Sequence, residues 1–198
     1  MGIPQKAPAW IEPEEYLALE ERATVRHEYL DGVIYSWQGY GPASMAGGSR
    51  KHNEIVQNLV VALRPGLRGG PCRTYATDMR LHVRAKDAYF YPDLMITCAA
   101  GDLAGDGARV GALSEPVVIM EVLSESTEAF DRGEKFETYK LIPTLREYVL
   151  VPTSGRCIEV LRRQSEGDWR CQRYEDVPVD IQSVGCTLAP ELVFENIT

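Results

Sequence analysis

Two acidic residues lie inside apolar, strand-like segments of the sequence. Glu121 is in PVVIMEVL and Asp93 is in YFYPDLMITC. A run rich in Val and Ile is typical of a strand buried on both faces, and a carboxylate is almost never fully buried unless its charge is paired. The two acids are 28 positions apart, which fits two strands joined by a loop. If these strands pair, both carboxylates project from one face at the same level.

Two neighbouring carboxylates in an apolar setting repel each other, so either one of them takes a proton or a cation lies between them. A pair of hard oxygen ligands suits Mg²⁺ or Mn²⁺, ions that also bind phosphate oxygens. Two plainer explanations exist: Glu121 pairs with a buried arginine, or it lies at an exposed strand end. On Asp93 and Glu121 alone the plainer explanations are preferred, because lone acids in strands are common.

A third residue, Lys135, favours the metal site over these plainer explanations. Asp131, Lys135 and Tyr139 are spaced by four, so they share one face of the helix predicted after the Glu121 strand. A lysine there could reach a water on the metal or stabilise the charge that develops on a phosphate. The alternative is an exposed Asp131–Lys135 surface pair, worth only about a few tenths of a kcal/mol.

The first half of the chain predicts two helices, a hairpin and two strand-like segments. A helix begins at Pro13, and residues 25–37 predict two short strands around a tight turn. A second, amphipathic helix, capped by Ser49 or Asn53, is expected to end near Pro65. The other segments are a glycine-rich linker at 39–49 and strand-like runs at 72–84 and 88–98.

The second half of the chain predicts one more helix and several strands. Residues 99–115 are glycine-rich, acidic and without period, which predicts a mobile loop. Residues 126–143 are helical in pattern, and the capping-box spacing of Asp131 and Glu134 places the start of the main helix at Asp131. The mixed order indicates an α/β or α+β fold with one central sheet, in a single domain over residues 1–198. Further strands are expected at 146–152, 156–163 and 169–175.

The composition argues against several classes of protein. No run of about 18 apolar residues occurs, so no membrane span is expected. The five cysteines are odd in number and far apart, which favours free thiols in a reducing cytoplasm, and the three histidines are too scattered for a His/Cys metal site. The net charge of −8 argues against a nucleic-acid partner. Residues 50–86, however, carry +6 and the remainder −14. That segment is either a solvated face or a local phosphate-binding surface.

Several segments of the sequence are similar to one known family. YPDLMI, PVVIMEVLSEST, the D-x-x-x-K-x-x-x-Y pattern from Asp131 and LREYVLV resemble the Uma-type family, which is described as putative restriction endonucleases and was formerly a domain of unknown function. WIEPEEYLALEE, VRHEYLDGVIY, TDMRLHV and the helix start at His52 are also similar to that family. The family belongs to the PD-(D/E)xK nuclease-like superfamily.

The resemblance implies a restriction-endonuclease-like fold, with a central mixed sheet flanked by helices, an N-terminal hairpin and C-terminal strands. It implies a Mg²⁺- or Mn²⁺-dependent endonuclease that acts on DNA, in the cytoplasm and as a homodimer. Asp93 and Glu121 match the two acids of the motif. Leu123 stands where the superfamily has a lysine, and Lys135 resembles the migrated lysine. Further metal ligands by similarity are Glu54, Asp78 and the carbonyl of Val122.

Two other functions stay open. The first is a nucleic-acid-binding or interaction module that keeps a nuclease fold and has lost catalysis, which the missing strand lysine and the acidic net charge favour. The second is a metal-dependent hydrolase of a small phosphate ester, which a closed pocket about the size of one ligand would support. A fold resemblance alone does not settle function.

Overall fold

The computed structural model describes residues 10–36, 49–104 and 111–197. Its helices are α1 (Pro13–Glu20), α2 (Arg50–Leu67), α3 (Ala100–Leu103), α4 (Glu128–Phe130), α5 (Phe136–Tyr139) and α6 (Pro190–Val193), with a π-helical segment (Asp131–Lys135) between α4 and α5. Its strands are β1 (His27–Leu30), β2 (Val33–Ser36), β3 (Arg73–Ala76), β4 (Leu81–Val83), β5 (Ala88–Phe90), β6 (Leu94–Thr97), β7 (Pro116–Leu123), β8 (Glu147–Pro152), β9 (Cys157–Arg163), β10 (Trp169–Glu175), β11 (Val179–Ile181) and β12 (Cys186–Leu188).

A six-stranded mixed sheet forms the centre of the fold, in the order β10-β9-β8-β7-β6-β3. Only the β7–β8 pair within it is parallel, and the neighbours on both sides are antiparallel. Every residue of β8 is buried, as are all but one of β7, which explains why these strands read as apolar runs. This sheet confirms the predicted mixed architecture with one central sheet.

Alternation along β7 divides its side chains between two apolar clusters. Val118, Met120 and Val122 belong to the cluster that includes the buried face of α2, whereas Ile119 and Leu123 belong to the cluster that includes Tyr139 of α5. Because successive side chains of a strand point to opposite faces, Glu121 lies on the face that carries the α4–α5 helical segment.

A second antiparallel sheet, in the order β2-β1-β5-β4, holds the N-terminal hairpin that the Asp31-Gly32 turn predicts. Both turn residues have positive φ, which fits their types. Stacked tyrosines join α1 to this sheet. A small β11–β12 pair and α6 pack against α2, and these three elements were not predicted. No helix in the described ranges has the length and apolar character needed to cross a membrane.

Of the predicted boundaries, one needs correction. The helix predicted to end near Pro65-Gly66 ends at Leu67, which is buried in the core, so the last turn includes Pro65 although proline cannot donate a helical hydrogen bond. Thr127, not Asp131, precedes the first turn of the α4–α5 segment, and the Asp131 amide donates to the Thr127 carbonyl. Residues 105–110 of the predicted mobile loop, like 39–48 of the predicted linker, lie outside the described residues.

The described part of the predicted mobile loop has defined contacts. It contains α3, and the buried carboxylate of Asp102 accepts hydrogen bonds from the Thr97 hydroxyl and from the amides of Ser114 and Glu115. Leu113 is fully buried and bridges to Leu81. The prediction of a mobile loop is therefore wrong for these residues, because the buried carboxylate of Asp102 accepts hydrogen bonds from two backbone amides and from the Thr97 hydroxyl.

The prediction of free thiols is wrong for two of the five cysteines. Cys72 and Cys98 form a disulfide, while Cys157, Cys171 and Cys186 are free. The β3–β6 register explains the bond, because Arg73 pairs with Thr97 and the two cysteines are the next cross-strand pair outward. Disulfides persist mainly in oxidising compartments, so this bond counts against the cytoplasmic location, which stays a prediction.

Candidate active site

Asp93 and Glu121 meet at one end of the β6–β7 pair. Leu94 pairs with Met120 across the two antiparallel strands, so Asp93 and Glu121 are the next pair of facing residues. The Asp93 amide donates to Glu121 Oε2 at 3.1 Å. Pro92 has no amide hydrogen to donate to a ladder, and the strand formed by residues 88–98 is interrupted there, as expected. This interruption frees the Asp93 amide to hold a side chain.

The carboxylate of Asp93 is buried and is fixed from two sides. Its Oδ2 accepts a hydrogen bond from the Val122 amide at 2.8 Å and lies 3.1 Å from His52 Nε2 at the start of α2. Burial is the largest single influence and lowers the pKa of His52, but the hydrogen bond to Asp93 and the negative charges of Asp93 and Asp131 together outweigh burial and raise it. Among the described residues, no side chain or amide donates to Asp93 Oδ1, which leaves that oxygen available to a ligand.

Glu121 is only 3% exposed and faces a lysine, which answers the question that its place in an apolar strand raises. Its Oε1 accepts from Lys135 Nζ at 3.3 Å and from the Tyr139 hydroxyl at 3.1 Å. Burial raises the pKa of the Glu121 carboxyl well above its ordinary value, and the ammonium of Lys135 opposes that rise. The side chain is thus neither paired with an arginine nor placed at an exposed strand end.

Lys135 is 5% exposed and lies among three carboxylates. Its Nζ is 3.0 Å from Glu28 Oε1 and 3.2 Å from Asp131 Oδ1, in addition to its bond to Glu121. Burial lowers the pKa of a lysine, but these carboxylates outweigh burial and hold the pKa of Lys135 well above its ordinary value. The structure therefore excludes the exposed Asp131–Lys135 pair, since both side chains are buried.

Glu28 on β1 connects the two halves of this cluster. The same oxygen that contacts Lys135 also accepts the Tyr91 amide at 3.1 Å, two residues before Asp93. Burial raises the pKa of the Glu28 carboxyl, and Lys135 opposes that rise. One carboxylate of the N-terminal hairpin thus contacts both the lysine and the backbone that leads into Asp93.

Glu28 and His52 belong to the site but were not predicted as members of it. Glu28 stands next to two apolar residues of a predicted strand, which is the same signal that singled out Glu121. His52 is three and seven positions before Ile55 and Leu59, so helical spacing places it on the buried face of α2. Neither signal shows which partner the residue meets, because that depends on how the two sheets and α2 pack together.

Two of the residues carried over by similarity lie apart from the cluster. Asp78 is 82% exposed and pairs with Arg26 at 3.8 Å. Glu54 is half-buried and lies about 200° around the α2 axis from His52. No hydrogen bond or ion pair in the described ranges joins either of them to Asp93 or Glu121. The structure therefore does not bring Glu54 and Asp78 together with the other candidate ligands.

The oxygen atoms at the strand end suit a hard divalent cation. The amide of Val122 points to Asp93, and a residue's carbonyl points to the same side of a strand as its amide. Asp93, Glu121 and this carbonyl therefore lie at the same strand end. Four carboxylates, Asp93 and Glu121 among them, outnumber one lysine and one histidine there. The described residues contain no group of three His, Cys, Asp or Glu arranged to hold a metal by themselves. Mg²⁺, however, usually binds through one or two carboxylates and keeps several waters.

Comparison with known proteins gives consistent matches along almost the whole chain. Residues 13–195 match the Uma2 family, described as "Putative restriction endonuclease". The uncharacterized protein slr1290 of Synechocystis sp. PCC 6803 is 32% identical over 188 residues, covering 94% of this chain and 93% of that protein. The uncharacterized protein sll1609 of the same organism is 34% identical over 154 residues, covering 78% of this chain and 80% of that protein.

A solved structure supports the fold prediction. The crystal structure of a putative nuclease belonging to DUF820 from Anabaena variabilis superimposes with a TM-score of 0.71, covering 95% of this chain and 99% of that chain at 17% identity. At this identity the match concerns the fold, and it confirms the predicted nuclease-like α/β architecture. The sequence match across residues 13–195 is more specific than the fold: the chain belongs to the Uma2 family of putative restriction endonucleases.

Proposed function

We propose that the protein is a metal-dependent endonuclease that hydrolyses phosphodiester bonds in DNA, with its active site at Asp93, Glu121 and Lys135. One observation carries this proposal: the buried carboxylate of Glu121 accepts a 3.1 Å hydrogen bond from the backbone amide of Asp93, the buried acid opposite it on the paired strand, and the ammonium of Lys135 lies 3.3 Å from the same carboxylate. Membership of the Uma2 family supports the nuclease class.

The oxygens that would hold Mg²⁺ or Mn²⁺ are Asp93 Oδ1, Glu121 Oε2 and the Val122 carbonyl. Hard oxygen donors of this kind, few in number, are what these ions prefer when the substrate's phosphate supplies further ligands. When bound, such an ion neutralises charge on the phosphate and lowers the pKa of a water. We keep Glu54 and Asp78 as weaker proposals, because their side chains lie apart from the strand end.

Side chains and backbone amides of the protein hold the carboxylates of Asp93 and Glu121 in place. Tyr139 and the Asp93 amide fix the two oxygens of Glu121, and His52 and the Val122 amide fix Asp93 Oδ2. Lys135 supplies a fixed positive charge beside Glu121, where negative charge accumulates on a phosphate under attack. Because these groups are held before a substrate arrives, little reorganisation is needed at the moment of reaction.

A second function is favoured by one observation. Lys135 is almost fully enclosed, and its ammonium already contacts three carboxylates. A lysine so completely paired is also what a structural ion cluster would contain. The competing proposal is therefore a nucleic-acid-binding module that keeps the fold and has no catalysis.

A plasmid-nicking assay separates the two functions. Supercoiled DNA is incubated with the protein and Mg²⁺ or Mn²⁺, and with the Asp93→Asn, Glu121→Gln and Lys135→Met variants. We expect metal-dependent nicking by the parent protein and a loss of at least about 100-fold in each variant, the scale of removing a group that stabilises developing charge.

The matched control is Glu147→Gln. Glu147 is also a buried strand glutamate in an ion pair, but its partner is Arg162 and it lies at the other end of the sheet. This variant should retain nicking. Binding of DNA without nicking in any metal would favour the inactive module, and nicking that survives in Asp93→Asn would contradict the proposed site.

A further inference from the structure

The outer face of α2 carries a row of exposed cations. The inner face of this helix is buried through Ile55, Leu59 and Leu63. At 100° per residue, Arg50, Arg64 and the flanking Arg68 project from the opposite side. All three are exposed, as is Lys51 beside them. These four residues, Arg50, Lys51, Arg64 and Arg68, are called the α2 cation row below.

The α2 cation row has no carboxylate partner in the described part of the chain. None of its members is within ion-pair distance of an aspartate or glutamate there. Other cations in this protein of net charge −8 are neutralised, as Arg132, Arg156 and Arg162 are by carboxylates. Unpaired cations gathered on one helix face are complementary to an anionic partner.

The α2 cation row contains only four of the eight Lys and Arg residues at positions 50–86. Arg73 and Arg80 donate to backbone carbonyls, and Lys86 pairs with Asp31. Arg84 lies in the β4–β5 turn of the other sheet. Of the eight cations at residues 50–86, the four on or flanking α2 therefore remain. Arg50 and Lys51 lie at its start and Arg64 and Arg68 at its end, with Glu54, Gln57 and Val61 on the outer face between them.

The position of the row relative to the candidate site identifies its partner. His52, in the first turn of α2, lies 3.1 Å from Asp93, so Arg50 and Lys51 lie in the helical turn that contacts the candidate active site, with Arg50 on the opposite side of the helix axis from His52. From Arg50 to Arg64 the helix rises about 21 Å, which matches about six base pairs of duplex DNA. Guanidinium groups bind phosphate oxygens in a fixed, bidentate geometry.

We propose that the α2 cation row binds the phosphate backbone of duplex DNA and leads it to the Asp93–Glu121 strand end. This proposal rests on the proposed nuclease function. Contacts of this kind set the position of the duplex and do not read its sequence. The far end of the row, Arg64 and Arg68, lies four to five helical turns from Arg50, so it can be changed without touching the candidate site.

The test measures binding of a fluorescent 20-base-pair duplex in EDTA, where no cleavage occurs, by anisotropy between about 50 and 200 mM salt. The variant is Arg64→Gln with Arg68→Gln. Its matched control is Arg22→Gln with Arg146→Gln, two exposed arginines that also have no described carboxylate partner and lie outside α2. Both variants change the net charge equally, so a difference between them reports position.

We expect the α2 variant to bind at least tenfold more weakly at 50 mM salt. The slope of log K against log salt should fall by about 1.8, corresponding to two lost phosphate contacts at about 0.9 each. The control variant should keep the slope of the parent protein. An equal loss in both variants, or none in the α2 variant, would overturn the proposal.

Two further results keep this inference separate from the proposed function. Nicking by the parent protein together with an unchanged slope in the α2 variant would overturn the binding surface and leave the nuclease intact. An α2 variant that loses binding to anionic phospholipid vesicles but not to DNA would also overturn it. A parent protein that neither binds nor nicks DNA would overturn both.

Discussion

A buried lysine explains how Glu121 is tolerated inside an apolar strand. An unpaired buried carboxylate costs several kcal/mol, roughly, and here Lys135 and Tyr139 both contact its Oε1. Leu123, on the same face of β7, packs in the apolar cluster, so the positive charge comes from the next helical segment. This geometry supports the idea that Lys135 takes the role of the superfamily's strand lysine.

Glu28 provides a test at the level of single residues. Glu28→Gln removes one of three negative charges around Lys135, whereas the amide oxygen can still accept the Tyr91 N–H. We expect nicking to fall by about 10- to 100-fold, the usual effect of losing a residue that orients another at a metal site. Mn²⁺ affinity, measured by calorimetry, should stay close to that of the parent, because the proposed ligands are unchanged.

Glu20→Gln is the matched control for Glu28. Glu20 is equally buried and bonds to His27 and to the Tyr91 hydroxyl, but it does not contact Lys135. It should retain nicking. Equal losses in the two variants would mean that Glu28 acts only through packing of the N-terminal hairpin.

The residues of the site were predictable from sequence to different degrees. Asp93 and Glu121 stand out because an acid in an apolar strand needs a partner, and Lys135 because its helix follows that strand. Glu28 lies 107 positions from Lys135, and no local pattern connects them. Their contact depends on how the N-terminal sheet packs against the central one, which strand patterns do not specify.

At the level of elements, one antiparallel pair positions most of the chemistry. The β6–β7 register places Asp93 beside Glu121, and the α4–α5 segment places Lys135 over the strand that precedes it. Asp131 and Lys135 are the first and last residues of a π-helical segment, a feature frequent at functional sites. The helical pattern of residues 126–143 predicts this segment but not its π geometry.

The Cys72–Cys98 bond gives a prediction about stability. It fastens the edge strand β3 to β6 and closes a separation of 26 residues. From the loop entropy of that separation, we expect reduction to lower the free energy of unfolding by about 3.5 kcal/mol. Urea denaturation with and without dithiothreitol measures the change. A Cys72→Ser, Cys98→Ser double variant should be insensitive to the reductant, and a parent protein equally insensitive would show that the bond does not form in solution.

Strand patterns predicted the elements better than their connections. The β8, β9 and β10 strands follow the predicted runs almost to the residue, because alternation and β-branched residues mark them clearly. The disulfide was not predictable, since it follows from the register of β3 and β6. The three short elements after Val179 were missed because each is only three or four residues long.

At the level of the whole molecule, two sheets and one long helix converge on a single strand end. The N-terminal sheet supplies Glu28, the central sheet supplies Asp93 and Glu121, and α2 supplies His52. An acidic protein can still bind DNA through local groups of unpaired cations, such as those at the two ends of α2 that the proposal invokes. The single domain and the homodimer stay predictions.

Calorimetric titration of Mn²⁺ tests the central claim most directly, because the strand end must bind a metal before it can act as a metal-dependent nuclease. The parent protein is compared with Asp93→Asn, Glu121→Gln and the control Glu147→Gln. We predict saturable binding to the parent and the control, and affinity at least about tenfold weaker in the other two variants. No binding to the parent, or equal binding to all four proteins, would contradict the assignment of Asp93 and Glu121 as the metal site.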